Sequence, residues 1–235
     1  MDKMVTSLDF FTGGVPASAI FSMNIREIRA ILNSRKRSHK YSNAKYELCL
    51  IGLVAYFEAF FKDHFASLIN IYPNLLFSLK EKNYDVNIDI CDLVEFGITS
   101  NHFYGFIVAE KYDFGSPSKI NSMYQSLIKI SPFTNDEKVE YEKILNDRNL
   151  LVHHGGIYTT KYSQQKMKRM QFTERVFFDS IVFSKNDIIS AIDFCESIVL
   201  KVSKSSQIRI REIIKEHKFR TNKLIKGAIK FLDMP

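Results

Sequence analysis

Between Asn43 and Ile69 the chain places Leu48, Leu50, Ile51, Val54, Phe57, Phe61, Phe65 and Leu68 at helical spacing. Apolar residues three, four and seven positions apart define one face of a helix. This face is broad, so it has to be covered by neighbouring elements. The rest of the chain supplies candidates of the same kind. Ile20, Phe21, Ile25, Ile28, Ile31 and Leu32 predict a helix over 18–36. Pro73 suits the first turn of a shorter helix reaching Lys82. Residues 88–96 are ambiguous, 97–118 read as helix fragments joined by turns, and 118–130 as a helix stopped by Ser131-Pro132. Thr134 with Glu137 three positions on is a capping box. It opens a helix that carries Val139, Tyr141, Ile144, Leu145, Leu151 and Val152 inward and stops at Gly155-Gly156.

After Gly156 the pattern changes. Tyr158-Thr159-Thr160 and the stretch Arg175–Phe183 read as short extended segments, with a polar loop from Lys161 to Gln171 between them. Ser184 with Asp187 repeats the box pattern and opens a long helix to about Glu216, with Ile188, Ile192, Cys195, Val199 and Val202 on one face. Asn222 to Leu232 is a short basic amphipathic helix. The expected fold is mainly α, an antiparallel helical bundle with a short β insertion before the last long helix. The expected organisation is an N-terminal arm and first helix over 1–42, a helical domain over 43–204, and a basic helical extension over 205–235 that packs on or continues it.

Composition bounds what such a bundle can be. The 235 residues are 46% apolar and 25% charged, ordinary values for a soluble globular chain. No run of eighteen apolar residues predicts a membrane span, and the first residues lack the apolar core of a secretory signal peptide. Cys49, Cys91 and Cys195 are scattered and odd in number, which fits a reduced, cytoplasmic protein. The net charge is +7. From Lys201 to Lys230 ten basic residues face only Glu212 and Glu216, so this segment carries +8 and the remainder is about neutral. Arg209, Arg211, Lys215, Lys218, Arg220, Lys223 and Lys226 make it a candidate RNA-binding surface. The competing reading is a solvated amphipathic face. A smaller basic cluster, Arg35-Lys36-Arg37 with His39 and Lys40, reads as a loop.

Chemistry concentrates in Asn146-Asp147-Arg148-Asn149-Leu150-Leu151-Val152-His153-His154-Gly155-Gly156. Five positions on a helix turn through roughly 140° beyond one full turn. Arg148 and His153 therefore make half a phosphate pocket, to be completed by a second helix or a second subunit. In the plain alternative Arg148 pairs with Asp147 or Glu142 and His153 sits where a helix C-terminus favours cations. Glu58 lies on the apolar face around Phe57, Phe61 and Phe65, where a carboxylate needs a partner. Arg148 is one candidate partner; the other reading is a flanking residue that reaches solvent.

The Arg-Asn-x-x-x-His string followed by Gly-Gly, with the upstream apolar helix around Tyr56-Phe57-Glu58-Ala59-Phe60, resembles the Arg-x4–6-His signature of the HEPN superfamily. The similarity covers about residues 43–204 and is strongest to stand-alone ribonucleases of toxin and antiphage systems. It implies a metal-independent endoribonuclease that uses no cofactor, with RNA as substrate and two copies whose motif helices face each other. An antitoxin or defence-system partner is implied too. In that pattern His153 moves protons, Arg148 holds the phosphate, Asn149 orients either group and Glu58 orients Arg148. His154, six positions from Arg148, competes with His153. Some members carry a tyrosine two residues after the histidine, modified by a partner nucleotidyltransferase. Here that place holds Gly155 or Gly156, and Tyr158 is displaced. His153 and His154 diverge by about 100° on a helix and have no further ligands at zinc spacing. His64 and His102 beside aromatics read as core-edge residues, and neither a phosphate-cradling loop nor a serine nucleophile elbow is present.

Overall fold

The structure, a computed structural model, describes residues 5–34, 44–95, 104–160, 162 and 180–233. The basic cluster at 35–40, His102, and most of the expected loop and second extended segment (163–179) lie outside the described residues. The helices are α1 (Ala17–Asn33), α2 (Ala44–Ile71), α3 (Leu75–Glu81), α4 (Ile90–Glu95), α5 (Tyr104–Glu110), α6 (Pro117–Ile128), α7 (Asn135–His154), α8 (Lys185–Glu216) and α9 (Lys223–Phe231). They form a mainly α helical bundle. Among the described residues β structure amounts to one antiparallel bridge, Ile157 to Ser180. Of the described helices, none is long and apolar enough to cross a membrane.

α2 is the hub, packed against α1, α5, α7 and α8. Its apolar face is as broad as its sequence demands: Leu53, Val54, Phe57, Phe61, Phe65 and Leu68 are inaccessible to solvent. Phe57 meets Phe61 and Tyr141 edge-on, each at 5.0 Å between ring centres, and Tyr141 stacks on Phe133 at 5.4 Å. Each such pair adds about 0.5–1.5 kcal/mol beyond its buried area. α5 crosses α2 at backbone contact. A Cβ on Gly105 would stand 2.0 Å from the carbonyl oxygen of Ala66, so only glycine fits there. The Gly105 N–H donates to Asn70 Oδ1 at 2.8 Å, and Asn70 Nδ2 donates to the Phe10 carbonyl at 3.2 Å. One buried amide thus ties the N-terminal arm to the crossing.

Both expected capping boxes form. Thr134 Oγ1 accepts from the Glu137 N–H at 3.3 Å, and the Glu137 carboxylate accepts from the Thr134 N–H at 2.7 Å. Ser184 and Asp187 exchange the same bonds at 3.2 and 2.7 Å. α7 ends in left-handed Gly155, whose N–H bonds the Leu151 carbonyl, while Gly156 N–H reaches back to Leu150. This is the glycine stop that releases the last carbonyls from the helix ladder.

Some expectations are corrected. Val139 and Val152 point outward, 67% and 50% exposed, because α7 buries only the stripe of Tyr141, Ile144, Leu145, Leu150 and Leu151. Leu48 on α2 and Ile31 on α1 are likewise exposed. Pro73 precedes α3 rather than opening it; Asn74 is the capping position. α6 ends earlier than the proline, at Ile128, because Lys129 turns left-handed. α8 runs unbroken through 204–205, and α9 packs on α8 and α2.

Candidate active site

Arg148 lies on the inner side of α7, and its Nη2 donates to Oε1 of Glu58 on α2. The two side chains are 21% and 28% exposed, half-sheltered between the helices. Neither Asp147 nor Glu142 takes Arg148; Asp147 instead accepts from the Tyr162 hydroxyl at 2.6 Å. Tyr162 stacks on Tyr158 at 5.4 Å, so the chain just after α7 folds back over that helix. The Glu58 carboxyl is pushed up, first by burial and then by the charge of Asp113, while Arg148 opposes both.

A third element completes the surroundings. Before α6 the turn Asp113-Phe114-Gly115 brings a second carboxylate close to the pair. Asp113 accepts from Lys119 Nζ at 2.7 Å and from the Gly115 N–H at 2.8 Å. Lys119 and then that N–H hold its carboxyl below the usual range, with Arg148 adding to the effect. A Cβ on Gly115 would stand 2.9 Å from Asp113 Oδ1 and 3.4 Å from Glu58 Oε1, so a bare glycine leaves room for both acids. Beneath lies Tyr141, whose fully buried hydroxyl has no hydrogen-bond partner among the described residues, as is also true of Arg148 Nε. Burial drives the Tyr141 phenol well above its usual range. Tyr141 is read from the sequence as an inward residue of its helix, but Asp113 and Gly115 are not found there. Only the Asp-x-Gly turn before a proline-started helix hints at them, and it does not say what the turn faces.

Asn149, His153 and His154 are exposed at the same end of α7. The two imidazoles lie 6.5 Å apart, centre to centre, at 68°. The helix therefore sends Arg148 inward to Glu58 and His153 outward to solvent, as positions separated by about 140° require. Further back along α7, residues 140–147 and the start of α8 border a cavity of about 370 Å³. Among the described residues Glu140, Lys143, Asp147 and Asp187 are its charged lining. Among the described residues no three His, Cys, Asp or Glu side chains are grouped to hold a metal ion. Cys49 and Cys195 are buried free thiols, and Cys91 is exposed.

His64 is not a core-edge residue but lies fully inside the bundle against Tyr124. The basic residues of the C-terminal segment part company. Arg209 is engaged within the fold: Nη1 donates to Glu212 at 2.9 Å and Glu216 at 3.0 Å, and Nε to the Ile128 carbonyl at 3.2 Å. Arg211, Lys215, Lys218, Arg220, Lys223 and Lys226 are exposed. Comparisons with family models, with curated proteins and with solved structures find no match to this chain.

Proposed function

We propose that this protein is a metal-independent endoribonuclease of HEPN type. It would act as a cytoplasmic homodimer in a toxin–antitoxin or antiphage setting, with an antitoxin or defence protein as partner. The observation that carries the reading is the division of labour at the end of α7. Arg148 is fixed from inside by Glu58, while Asn149 and His153 stand free at the surface. A guanidinium has five N–H donors, so the bond to Glu58 leaves others for a phosphate.

RNA brings its own nucleophile. In this reading the His153 imidazole accepts the 2′-hydroxyl proton, and the 2′-oxygen attacks phosphorus. The bond to the 5′-oxygen breaks, and that oxygen takes a proton from an imidazolium at the facing helix end of the second copy. The products are a 2′,3′-cyclic phosphate and a 5′-hydroxyl. Arg148 stabilises the charge that builds on the phosphoryl oxygens, and Asn149 orients the reacting groups. His154 is the alternative proton carrier.

A second reading is a non-catalytic HEPN module that binds RNA, a nucleotide or a partner protein. The pairing of Arg148 with Glu58 favours it, since the carboxylate offsets the charge a phosphate would use. Incubating RNA with the protein in EDTA separates the two. Cleavage to cyclic phosphate ends that is lost in His153→Ala supports the nuclease. Salt-dependent RNA binding without cleavage supports the module.

A further inference from the structure

The C-terminal part of α8, the turn after it and α9 border an open surface cavity of about 400 Å³. Its lining is Arg211, Ile214, Thr221, Lys226, Ile229 and Lys230. Ile214 and Ile229 are buried and form an apolar floor, while Arg211, Lys226 and Lys230 are exposed. Among the described residues no carboxylate lines it. Lys226 and Lys230 stand four apart on one helix, a spacing at which like charges repel. Arg211 adds a third cation from the facing helix. On the same helix Arg209 is paired with Glu212 and Glu216 and Lys201 with Glu137, while the exposed Lys204 and Lys215 lie outside the cavity. Arg211, Lys226 and Lys230 have no such partner among the described residues. The fold holds this concentration of charge firmly. Asn222 caps α9 through the Ile225 N–H at 2.9 Å, and Gln207 Nε2 on α8 donates to the carbonyls of Ile229 at 3.1 Å and Lys230 at 3.2 Å.

We infer that this cavity is a phosphate-binding site for a nucleic-acid strand, with Arg211, Lys226 and Lys230 as its cationic walls and Thr221 as a further hydrogen-bond donor. That the strand is RNA rests on the ribonuclease reading. A basic amphipathic helix also suits an anionic membrane surface, but there its apolar face enters the lipid. Here that face is already spent: Ala228, Ile229 and Leu232 are buried in the protein core. A strand gripped at this cavity gains affinity by releasing counterions, and the grip weakens with salt in proportion to the phosphates neutralised.

The test uses the full chain carrying His153→Ala, so that RNA is not consumed, and a fluorescein-labelled single-stranded RNA oligonucleotide. Anisotropy titrations over a salt series are run for this protein and for versions that add Lys226→Gln with Lys230→Gln, or Arg211→Gln. Circular dichroism confirms matched helicity. The expected result is weaker binding and a salt slope reduced by roughly 0.7 for each phosphate that the variant no longer neutralises. Lys204→Gln, an exposed charge outside the cavity, leaves both unchanged. Unaltered slopes in the cavity variants, or no RNA binding by the starting protein, overturn the site. So does cavity-dependent binding to phosphatidylserine vesicles with RNA binding unaffected. The two readings fail separately. Cavity-dependent RNA binding by a protein that never cleaves keeps the site and removes the nuclease. Cleavage with charge-independent binding does the reverse.

Discussion

Arg148 donates a hydrogen bond to Glu58, 90 positions earlier in the chain, and so ties the end of the motif helix to the hub of the bundle. Both groups are sheltered, and the Arg148 Nε beside the bond is buried without a partner among the described residues. The guanidinium is therefore held by one firm bond rather than by a full fork.

Removing that bond has a measurable cost. Glu58→Ala is expected to destabilise the fold by about 1–2 kcal/mol, the low end for a charged hydrogen bond because both side chains keep some solvent. Glu58→Gln should cost less, since an amide oxygen still accepts. The sign with pH is also fixed. Burial raises the Glu58 carboxyl in the folded state, so the folded protein holds this proton more tightly than the unfolded chain. Stability from this group is therefore greatest below the ordinary glutamate value and falls as pH rises through the raised one. Urea unfolding of wild type and Glu58→Gln across that window should show the stability of wild type falling relative to that of the variant as pH rises, with the titration of His64 common to both.

If the nuclease reading holds, Arg148→Ala keeps the fold and lowers turnover by about 10²–10³, the usual loss when a donor to transition-state charge is removed. Arg148→Lys should also be impaired, because an ammonium cannot keep Glu58 and hold a phosphate in the same planar fork. His153→Ala should fall further than His154→Ala. Single-turnover cleavage of a short RNA in EDTA reads all four variants, and wild-type rates in folded Arg148→Ala would remove this residue from the chemistry.

Much of this arrangement is legible in the chain itself. Helix periodicity, the two capping boxes and the Gly155-Gly156 stop are local signals, and local backbone chemistry decides them. Glu58 stands out because a carboxylate on an apolar face needs a partner, and Arg148 is a partner within reach. What Asp113 and Gly115 face, and what the inward Tyr141 lies beneath, cannot be found this way. Their importance comes from which surfaces α2, α6 and α7 bring together, and no spacing within one element encodes that. The outward turn of Val139 and Val152 is hidden for a related reason. On α7 the buried stripe is narrow, and apolar residues just beside it look the same in sequence as those within it.

Gly105 should tolerate no side chain. Its Cβ would enter the Ala66 carbonyl on α2, and the obstacle is backbone, which cannot rotate aside as a side chain can. Gly105→Ala is expected to cost about 1–3 kcal/mol or more, the range for overpacking a tight core. Thermal unfolding against wild type measures it. An unchanged midpoint would mean that α5 does not cross α2 this closely.

The exposed Val152 next to His153 supports a specific expectation for assembly. If two motif helix ends face each other, an apolar group there is covered in the dimer. Light scattering at micromolar concentration should give dimer mass for wild type and monomer for Val152→Asp, with helicity retained. A monomeric wild type would count against the composite site.

His64 gives a pH signature that does not depend on the nuclease reading. Its Nδ1 lies 3.0 Å from the Tyr124 hydroxyl, which donates its own proton to the Phe61 carbonyl at 3.1 Å. The hydroxyl has one proton, so the imidazole must supply the other, and the neutral Nδ1–H form follows. Nε2 is buried without a partner among the described residues, so a second proton would place an unpaired charge in the core. Burial accordingly pushes the His64 pKa down to about 3. The unfolded chain binds that proton near 6.5, so stability from this group is complete above 6.5 and is lost as pH falls towards 3. Between pH 6.5 and 4.5 the loss should be about 2–3 kcal/mol. The depressed carboxylates of Asp113 and Glu137 act only at lower pH, and Glu58 acts with the opposite sign. Urea unfolding at pH 7 and pH 4.5 for wild type and His64→Asn tests this, because the amide can still donate to Tyr124 but does not titrate. The variant should lose markedly less stability on acidification than wild type, whatever its cost at neutral pH. Parallel losses would show that His64 is protonated without penalty and does not lie sealed in the core.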